Sequence, residues 1–402
     1  MLSITRMLLA AVSLTVLFAG RTEAAETVLR IGVLADMSGI YSDMTGTGSV
    51  RAVELAVQDF GGSIEGRKIE VIQGDHQNKP DIASALVRRW FDSEGVDVVV
   101  NAAGSATALA VVEIAKTYNK SALITGAISD RLTNDACSPN HVHYGLNSHA
   151  LVNGTVKALI DQGKKTWFFL IADYAFGHSL LAEATKFIEL NGGKVVGSVK
   201  HPLNTSDFSS FLLQAQASKA QVIGLANAST DMSNSIAQAR EFGLQKGGQD
   251  LAAMLIFLTD VNAMGLDRAQ NTVLTTASYW DKDAASRAFA ERYFQTVKRM
   301  PTFYQQADYS ATLAYLQAAK STGWRDGRAV IAAMKDKPIN DFFARGGAIR
   351  QDGLLVHDVY LARIKSPSES KKPWDYYEII STVPGAQAFG SMTDSKCPLV
   401  KK

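Results

Sequence analysis

Four short loops carry the residues of this sequence that are best suited to binding or chemistry. Each follows a segment predicted to be a β-strand; they are residues 37–41 with Tyr41, 104–107 with Ser105 and Ala106, 125–130 with Ala127 and Ser129, and 173–177 with Tyr174 and Phe176. In open α/β sheets, ligands bind at the carboxyl ends of the strands. Hydroxyl groups, small residues and aromatic rings at that edge indicate noncovalent capture of a small molecule.

Ser105 stands where the N-cap of a helix is expected, between an apolar run and a helical pattern. The free N–H groups at the start of a helix favour an anion such as a carboxylate, although simple capping is the alternative explanation. Ser129 follows the next strand in a loop of the same design. Two such loops on neighbouring strands could hold one carboxylate between them, which favours binding.

Motifs of enzymes and metal sites are weak in this chain. Gly46-Thr47-Gly48 lacks the third glycine of a dinucleotide fingerprint, and Gly163-Lys164-Lys165-Thr166 precedes a strand, which is the wrong order for a P-loop. His141 and His143 could face one side of an extended segment, but no third ligand accompanies them. The sequence therefore predicts no enzyme activity, no cofactor and no metal.

The elements that must position these loops alternate along the chain. Strands are predicted at residues 29–34, 68–73, 96–101, 122–125, 166–171, 195–200, 222–226, 253–257 and 359–364, and helices at 49–60, 81–92, 106–118, 177–190, 208–217, 231–242, 286–298, 307–321 and 328–334. This order predicts an α/β protein with two successive units of parallel sheet covered by helices. The later helices have no matching strands, so they are expected to complete the first unit.

The first 25 residues have the layout of a removable secretion signal. Arg6 precedes an apolar run, and small residues follow at Thr22, Ala24 and Ala25. No cysteine lies at the cleavage site, so no lipid anchor is expected. The formal net charge of +2 gives no electrostatic reason to expect nucleic acid or an anionic membrane as a partner.

The chain has two cysteines, Cys137 and Cys397. In an oxidising compartment an isolated pair is expected to form a disulfide, and the alternative is two free thiols. The bridge would join the C-terminal tail to the middle of the chain.

Four segments in this order resemble the type I periplasmic binding proteins of the branched-chain amino-acid transporter family. They are residues 31–39 (IGVLADMSG), 104–107, 127–129 and 173–177, and the resemblance covers nearly all of the mature chain. It implies two Rossmann-like lobes joined by three crossovers: residues 26–144 with 277–352, and residues 145–276 with 353–402. It also implies a periplasmic monomer that captures a small carboxylate in the cleft and presents it to an ABC permease and its ATPase.

The same resemblance suggests roles for single residues. Ser105 resembles the serine that binds the ligand carboxylate, Ala127 should contribute a backbone contact, and Ser129 replaces a threonine. Phe176 and Asn227 fall at or near positions where amino-acid binders have tyrosines, and Asp260 lies near their ammonium-binding acid. Crossovers near residues 143–145, 275–277 and 351–353 should act as hinges on which ligand closes the lobes.

The differences from amino-acid binders at these positions affect the expected ligand. An α-ammonium in a closed cleft needs an acidic partner, so a zwitterion is disfavoured if Asp260 points away. Tyr41, Tyr174, Phe176 and Tyr279 would then suit a flat acid, and residues 173–177 and 279–281 resemble family members that bind benzoate, hydroxybenzoate or cinnamate derivatives. The alternatives are a branched-chain or other amino acid as ligand, and a role as a periplasmic sensor.

Overall fold

The first part of the chain builds a six-stranded sheet. The computed structural model describes residues 28–401, so the predicted signal peptide lies outside the described residues. The elements are β1 (Leu29–Ala35), α1 (Gly46–Phe60), β2 (Ser63–Ile64), β3 (Arg67–Asp75), α2 (Pro80–Asp92), β4 (Val98–Asn101), α3 (Ser105–Thr117), β5 (Ser121–Ile124) and β6 (His141–His143). The strand order is β2-β3-β1-β4-β5-β6. All neighbours are parallel except β2 and β3, and β4 and β5 are buried throughout, as expected between two helical layers.

The middle of the chain builds a four-stranded parallel sheet in the order β10-β9-β7-β8. Its elements are α4 (Ser148–Leu151), α5 (Lys157–Asp161), β7 (Thr166–Ala172), α6 (Ala175–Leu190), β8 (Lys194–His201), α7 (Ser209–Ala217), β9 (Val222–Ala226), α8 (Thr230–Glu241), β10 (Asp250–Ala253), α9 (Leu258–Met264) and α10 (Leu266–Ala269). A π-helical turn, Val152–Val156, joins α4 to α5.

The last part of the chain contributes to both halves. Its elements are β11 (Val273–Thr276), α11 (Ala284–Val297), α12 (Phe303–Thr322), α13 (Gly327–Lys335), β12 (Ile339–Asn340), β13 (Arg345–Ile349), β14 (Leu355–Val356), β15 (Val359–Ile364), β16 (Tyr377–Val383) and α14 (Gly385–Ala388). Helices α11 and α12 pack against α1, while β11, β15 and β16 form an antiparallel sheet. The expectation that the later helices complete the first unit is therefore confirmed.

The architecture confirms the predicted fold class of two Rossmann-like lobes joined by three crossovers. The chain leaves the first sheet after β6, returns after β11, and leaves again before β15. The backbone N–H of His143 donates to the carbonyl of Gly353 at 2.8 Å, and His143 pairs with Leu354 as an isolated bridge. The first and third crossovers therefore lie side by side.

Two local predictions need correction. The strand predicted at residues 253–257 is β10, which ends at Ala253, and the apolar residues that follow form a loop before α9. Short apolar runs do not distinguish a strand from a buried loop, which explains the error. Ser105 is not an N-cap: it is the first residue of α3, and Gly104, with φ of 85°, precedes it.

Cys137 and Cys397 form a disulfide with a Cα–Cα distance of 5.7 Å, which confirms the predicted pairing. The bond joins the segment between β5 and β6 to the tail that follows β16. Within residues 28–401, none of the helices combines the length and the apolar character that a membrane span requires.

Candidate functional site

A cavity of about 230 Å³ lies between the lobes, where loops from the carboxyl ends of both parallel sheets meet. The first lobe lines it with Tyr41, Met44, Gly104, Ser105, Gly126, Ala127, Ile128 and Tyr304, and the second lobe with Tyr174, Phe176, Ala228 and Leu255. Five of the ten residues predicted for the site therefore come together: Tyr41, Ser105, Ala127, Tyr174 and Phe176.

A larger groove of about 1,680 Å³ lies between α6 and the C-terminal tail and is open to solvent. Some of the charged side chains in this groove pair with each other, for example Arg350 with Asp352 at 2.6 Å and Arg131 with Asp135 at 2.8 Å. The interlobe cavity is the better candidate for a ligand site because it lies where the carboxyl ends of both parallel sheets meet.

The loop after β1 is shaped by the buried carboxylate of Asp36, which presents Tyr41 to the cavity. The backbone N–H groups of Gly39 and Tyr41 donate to this carboxylate at 2.7 and 2.9 Å. A Cβ added to Gly39 would lie 2.6 Å from the Asp36 oxygens, so the turn requires glycine at this position. Burial raises the pKa of the Tyr41 hydroxyl well above its usual value, so Tyr41 stays neutral.

Residues 126–129, which we call the cradle loop, lie against the start of α3. The N–H groups of Ile128 and Ser129 donate to Ser105 Oγ at 3.4 and 3.3 Å. A Cβ at Gly126 would lie 2.8 Å from Ala103 Cα, so glycine allows the two loops to approach closely. The two loops, which the sequence placed on neighbouring strands, are in contact, and both line the cavity.

Helix α3 directs its N-terminus toward this contact. Its first main-chain hydrogen bond runs from the N–H of Ala108 to the carbonyl of Gly104 at 2.9 Å. Among residues 28–401, no acceptor bonds the N–H groups of Ser105, Ala106 or Thr107. A 13-residue helix with free N–H groups and a partial positive charge at its start is suited to bind an anion.

The second lobe contributes an aromatic wall that reaches across the cleft. Tyr174 precedes α6 and Phe176 lies in its first turn, with ring centroids 5.8 Å apart. The hydroxyl groups of Tyr41 and Tyr174 hydrogen bond to each other across the lobes. Ser229, which adopts a φ of 57°, donates its hydroxyl to the carbonyl of Ile40 at 2.7 Å. These contacts hold the lobes together around the cavity.

Tyr304 completes the aromatic lining from α12, far along the chain. A capping box of Thr302 and Gln305 begins this helix, and Gln305 Nε2 donates to the carbonyl of Met44 at 2.7 Å. The Tyr304 ring lies 5.1 Å from that of Phe257 in the second lobe. Sequence reasoning missed Met44, Tyr304, Ala228 and Leu255. The capping pattern at Thr302 could have marked the start of α12, but it carries no signal of where that helix packs.

Asp260 does not line the cavity. It lies in the first turn of α9, where Oδ2 accepts a hydrogen bond from the N–H of Phe257 at 2.9 Å. Burial raises the pKa of its carboxyl group to about 7. The sequence analysis placed Asp260 next to the end of a strand because it extended that strand to residue 257. The strand ends at Ala253, and Asp260 lies in the helix that follows.

The other predicted residues also lie off the cavity lining. Ser129 Oγ accepts from the N–H of Arg131 at 3.4 Å and starts a short 3₁₀ turn. Asn227 is buried, and its amide donates to His201 at 3.2 Å. Tyr279 lines a separate cavity and donates its hydroxyl to the carbonyl of Trp374 at 3.2 Å. Ala106 contributes the free N–H described above, while its side chain stays outside the lining.

A buried polar cluster below the cradle loop fixes the ends of β4 and β5. Asn101 Nδ2 donates to both carboxylate oxygens of Asp308 at 3.1 Å, and the hydroxyl of Thr125 donates to the same group. Burial raises the pKa of Asp308 to about 6, against the lowering effect of these hydrogen bonds.

We expect Asp308 to make stability depend on pH. The folded pKa of about 6 exceeds the value of about 3.9 in unfolded chains, so the folded state holds more protons between those values. This contribution to the free energy of unfolding therefore falls as pH rises from about 4 to 6, and then becomes constant. Urea unfolding at a series of pH values should show that Asp308→Asn lacks this fall. The exposed Asp81→Asn is the charge-matched control, and equal pH dependence in Asp308→Asn and wild type would contradict the assignment.

The electrostatics of the cavity follow from its lining. Within the described part of the chain, no Asp, Glu, Lys, Arg or His side chain lines it. Its polar groups are the start of α3, Ser105 Oγ and tyrosine hydroxyls, and four aromatic rings form much of the rest. This arrangement can hold a carboxylate at one side and a flat apolar body against the rings.

Comparisons with known proteins identify a matching family and similar structures. A family model described as periplasmic binding protein matches residues 28–372. The Leu/Ile/Val-binding protein homolog 6 of Brucella abortus (strain 2308) is 23% identical over 214 residues, which cover 53% of this chain. The chain thus spans about half the length of this curated relative, 54%.

Solved structures resemble the chain over most of its length. A periplasmic binding protein from Burkholderia mallei is 49% identical with a TM-score of 0.91, covering 93% of this chain and 100% of that one. A branched-chain amino-acid ABC transporter periplasmic ligand-binding protein from Burkholderia xenovorans LB400 is 39% identical with a TM-score of 0.84, covering 92% and 99%. A solute-binding protein from R. palustris in complex with benzoate is 21% identical with a TM-score of 0.80, covering 92% and 99%, which shows the fold alone.

Proposed function

This chain belongs to the periplasmic binding protein family, and we propose from that premise that it captures an aromatic carboxylate in the interlobe cavity. In this proposal the loaded protein delivers its ligand to an ABC permease and its ATPase. Benzoate-, hydroxybenzoate- or cinnamate-like acids are the favoured ligands.

The observation that carries the proposal is that the cavity lining can satisfy the carboxylate of an amino acid but not its ammonium group. The start of α3 and Ser105 can satisfy a carboxylate. Among residues 28–401, no acidic side chain lines the cavity to pair with an ammonium group. Burying an unpaired charge costs roughly several kcal/mol, so a carboxylic acid without an ammonium group fits this cavity better than an amino acid does.

The surface of the cavity supports an aromatic acid. Tyr41, Tyr174, Phe176 and Tyr304 supply aromatic faces, and the tyrosine hydroxyls can hydrogen bond to a ring substituent. The benzoate complex of the R. palustris protein is an example of such an acid held by the same fold.

The second candidate is an amino acid, because two relatives carry that name. The Burkholderia xenovorans protein is described as a branched-chain amino-acid component, and the Brucella protein as a Leu/Ile/Val-binding homologue. For this ligand, Asp260 would have to leave its position beside Phe257 N and turn toward the cavity.

Thermal unfolding with matched ligand pairs tests the proposal. 3-Phenylpropanoate and phenylalanine differ by the ammonium group, while 4-hydroxybenzoate and leucine represent the two classes. We expect the acids without an ammonium to raise the melting temperature of ligand-stripped protein, with about 2.7 kcal/mol of added stability at a hundredfold excess over Kd. Shifts with phenylalanine or leucine and none with the acids would overturn the choice of ligand.

Lobe closure on the ligand is part of the same proposal. We assign residues 26–144 and 277–352 to the first lobe and residues 145–276 and 353–402 to the second, with a periplasmic location after removal of residues 1–25. The contacts from Tyr41 to Tyr174 and from Ser229 to Ile40 would form on closure. Small-angle scattering that shows no compaction with a proven ligand would contradict it.

A further inference from the structure

Two carbonyl groups of the cradle loop, those of Ala127 and Ile128, accept hydrogen bonds from residues at the first crossover and the start of α4. The Ala127 carbonyl accepts a hydrogen bond from His143 Nε2 at 2.8 Å. The Ile128 carbonyl accepts from the backbone N–H of Ser148 at 2.9 Å and from its hydroxyl at 3.3 Å. The N–H groups of Ile128 and Ser129 point the other way, toward Ser105. The peptide that joins Ala127 to Ile128 therefore directs its carbonyl to the crossover and its N–H to Ser105.

This orientation is what an anion needs. A carboxylate is attracted by N–H groups and repelled by carbonyl oxygens, so a peptide beside it must keep its oxygen turned away. Burying a carbonyl group without a hydrogen-bond donor costs free energy. A peptide whose carbonyl lacked a donor would therefore rotate to form a hydrogen bond elsewhere. A donor that bonds the Ala127 carbonyl on the side away from the site removes the reason for the peptide to rotate.

His143 is fixed on both sides. Its side chain is buried, and the acceptor Ala127 O requires that Nε2 carry the hydrogen. Burial lowers the pKa of the ring to about 4, so it is neutral at physiological pH. Its backbone N–H donates to Gly353 in the third crossover. One residue thus connects the cradle loop to two of the three segments that join the lobes.

We propose that His143 is a positioning residue for the ligand carboxylate: its Nε2–H holds the Ala127 carbonyl toward the first crossover and so keeps the N–H of Ile128 on Ser105 Oγ, whose own hydrogen is then free to donate to the anion. The proposal rests on the proposed function only in requiring a ligand with a carboxylate, and it applies equally to an aromatic acid and to an amino acid.

Two substitutions of similar polarity separate this role from simple packing. His143→Gln places an amide nitrogen close to the position of Nε2, whereas His143→Asn is too short to reach Ala127 O. Titration calorimetry would compare 4-hydroxybenzoate with its uncharged amide, 4-hydroxybenzamide. We expect His143→Asn to bind the acid about tenfold more weakly than wild type, with the amide changed by less than about twofold. His143→Gln should bind the acid within about threefold of wild type.

His201→Leu is the matched control. His201 is also buried and also bonds a backbone carbonyl through one ring nitrogen, to Pro202 at 2.8 Å, but it lies in the second lobe away from the cavity. The ratio of acid to amide affinity should stay at its wild-type value in this variant. Equal acid affinity in the Asn and Gln variants of His143, or an equal loss for acid and amide, would overturn the proposal.

A second probe keeps the two proposals apart. If wild type binds leucine but not 4-hydroxybenzoate, the aromatic-acid proposal fails, and leucine and leucinamide replace the two probes in the same comparison. Nitrogen-15 spectra of the histidine ring provide a measurement that does not depend on ligand: the Nε2–H tautomer supports the bond to Ala127, and the Nδ1–H tautomer overturns it.

Discussion

Replacing Ser105 with alanine is expected to weaken the binding of 4-hydroxybenzoate about ten- to a hundredfold. The substitution removes the hydroxyl group that can donate to the ligand carboxylate. It also leaves the N–H groups of Ile128 and Ser129 without their acceptor. Hydrogen bonds to a charged group contribute about 1.5–3 kcal/mol, which sets this range. Titration calorimetry measures the effect.

The controls for Ser105→Ala separate binding from folding. Ser63 lies exposed in β2, so Ser63→Ala makes the same chemical change away from the cleft and should leave affinity unchanged. The melting temperature of each unliganded variant shows whether it folds. Affinity of Ser105→Ala within about twofold of wild type would mean that the carboxylate binds elsewhere in the cavity.

Removing the disulfide should have the largest effect on stability. Cys137 and Cys397 are 260 residues apart, and a cross-link over such a loop restricts the unfolded chain strongly. The chain-entropy treatment gives about 5.6 kcal/mol for a loop of this length. We expect the double variant Cys137→Ser with Cys397→Ser to unfold at lower urea concentration by that amount of free energy.

Reductant provides the matched comparison for the disulfide. Wild type measured with reductant should behave like the double variant, while the double variant itself should not respond to reductant. Equal unfolding free energies for oxidised wild type and double variant would show that the unfolded chain is already restricted by other contacts.

The fold could be predicted from particular runs of residues. Val98–Asn101 and Thr166–Ala172 are apolar runs of strand length between helical patterns, and both are buried strands. The run at residues 254–257 is equally apolar but forms a loop between β10 and α9. Its burial comes from contacts such as that between Phe257 and Phe303, which are 46 positions apart and leave no local signal.

The site was predictable where sheet geometry fixes position. Tyr41, Ser105 and Ala127 follow three neighbouring parallel strands, so their strand ends bring them together. Tyr304 belongs to a helix more than 250 residues from Tyr41, and nothing in the local sequence shows where that helix docks. The predicted position of Asp260 was wrong because the end of β10 was predicted four residues too late. Such an error shifts the expected position of every residue that follows the strand.

The disulfide has a topological consequence for the three crossovers. Cys137 precedes the first crossover and Cys397 follows the third, so all three lie inside one covalent ring closed by the bond. A single proteolytic cut in any crossover opens that ring without dividing the molecule. The two lobes then stay linked and able to find each other again, and the nicked chain separates into two fragments only after reduction.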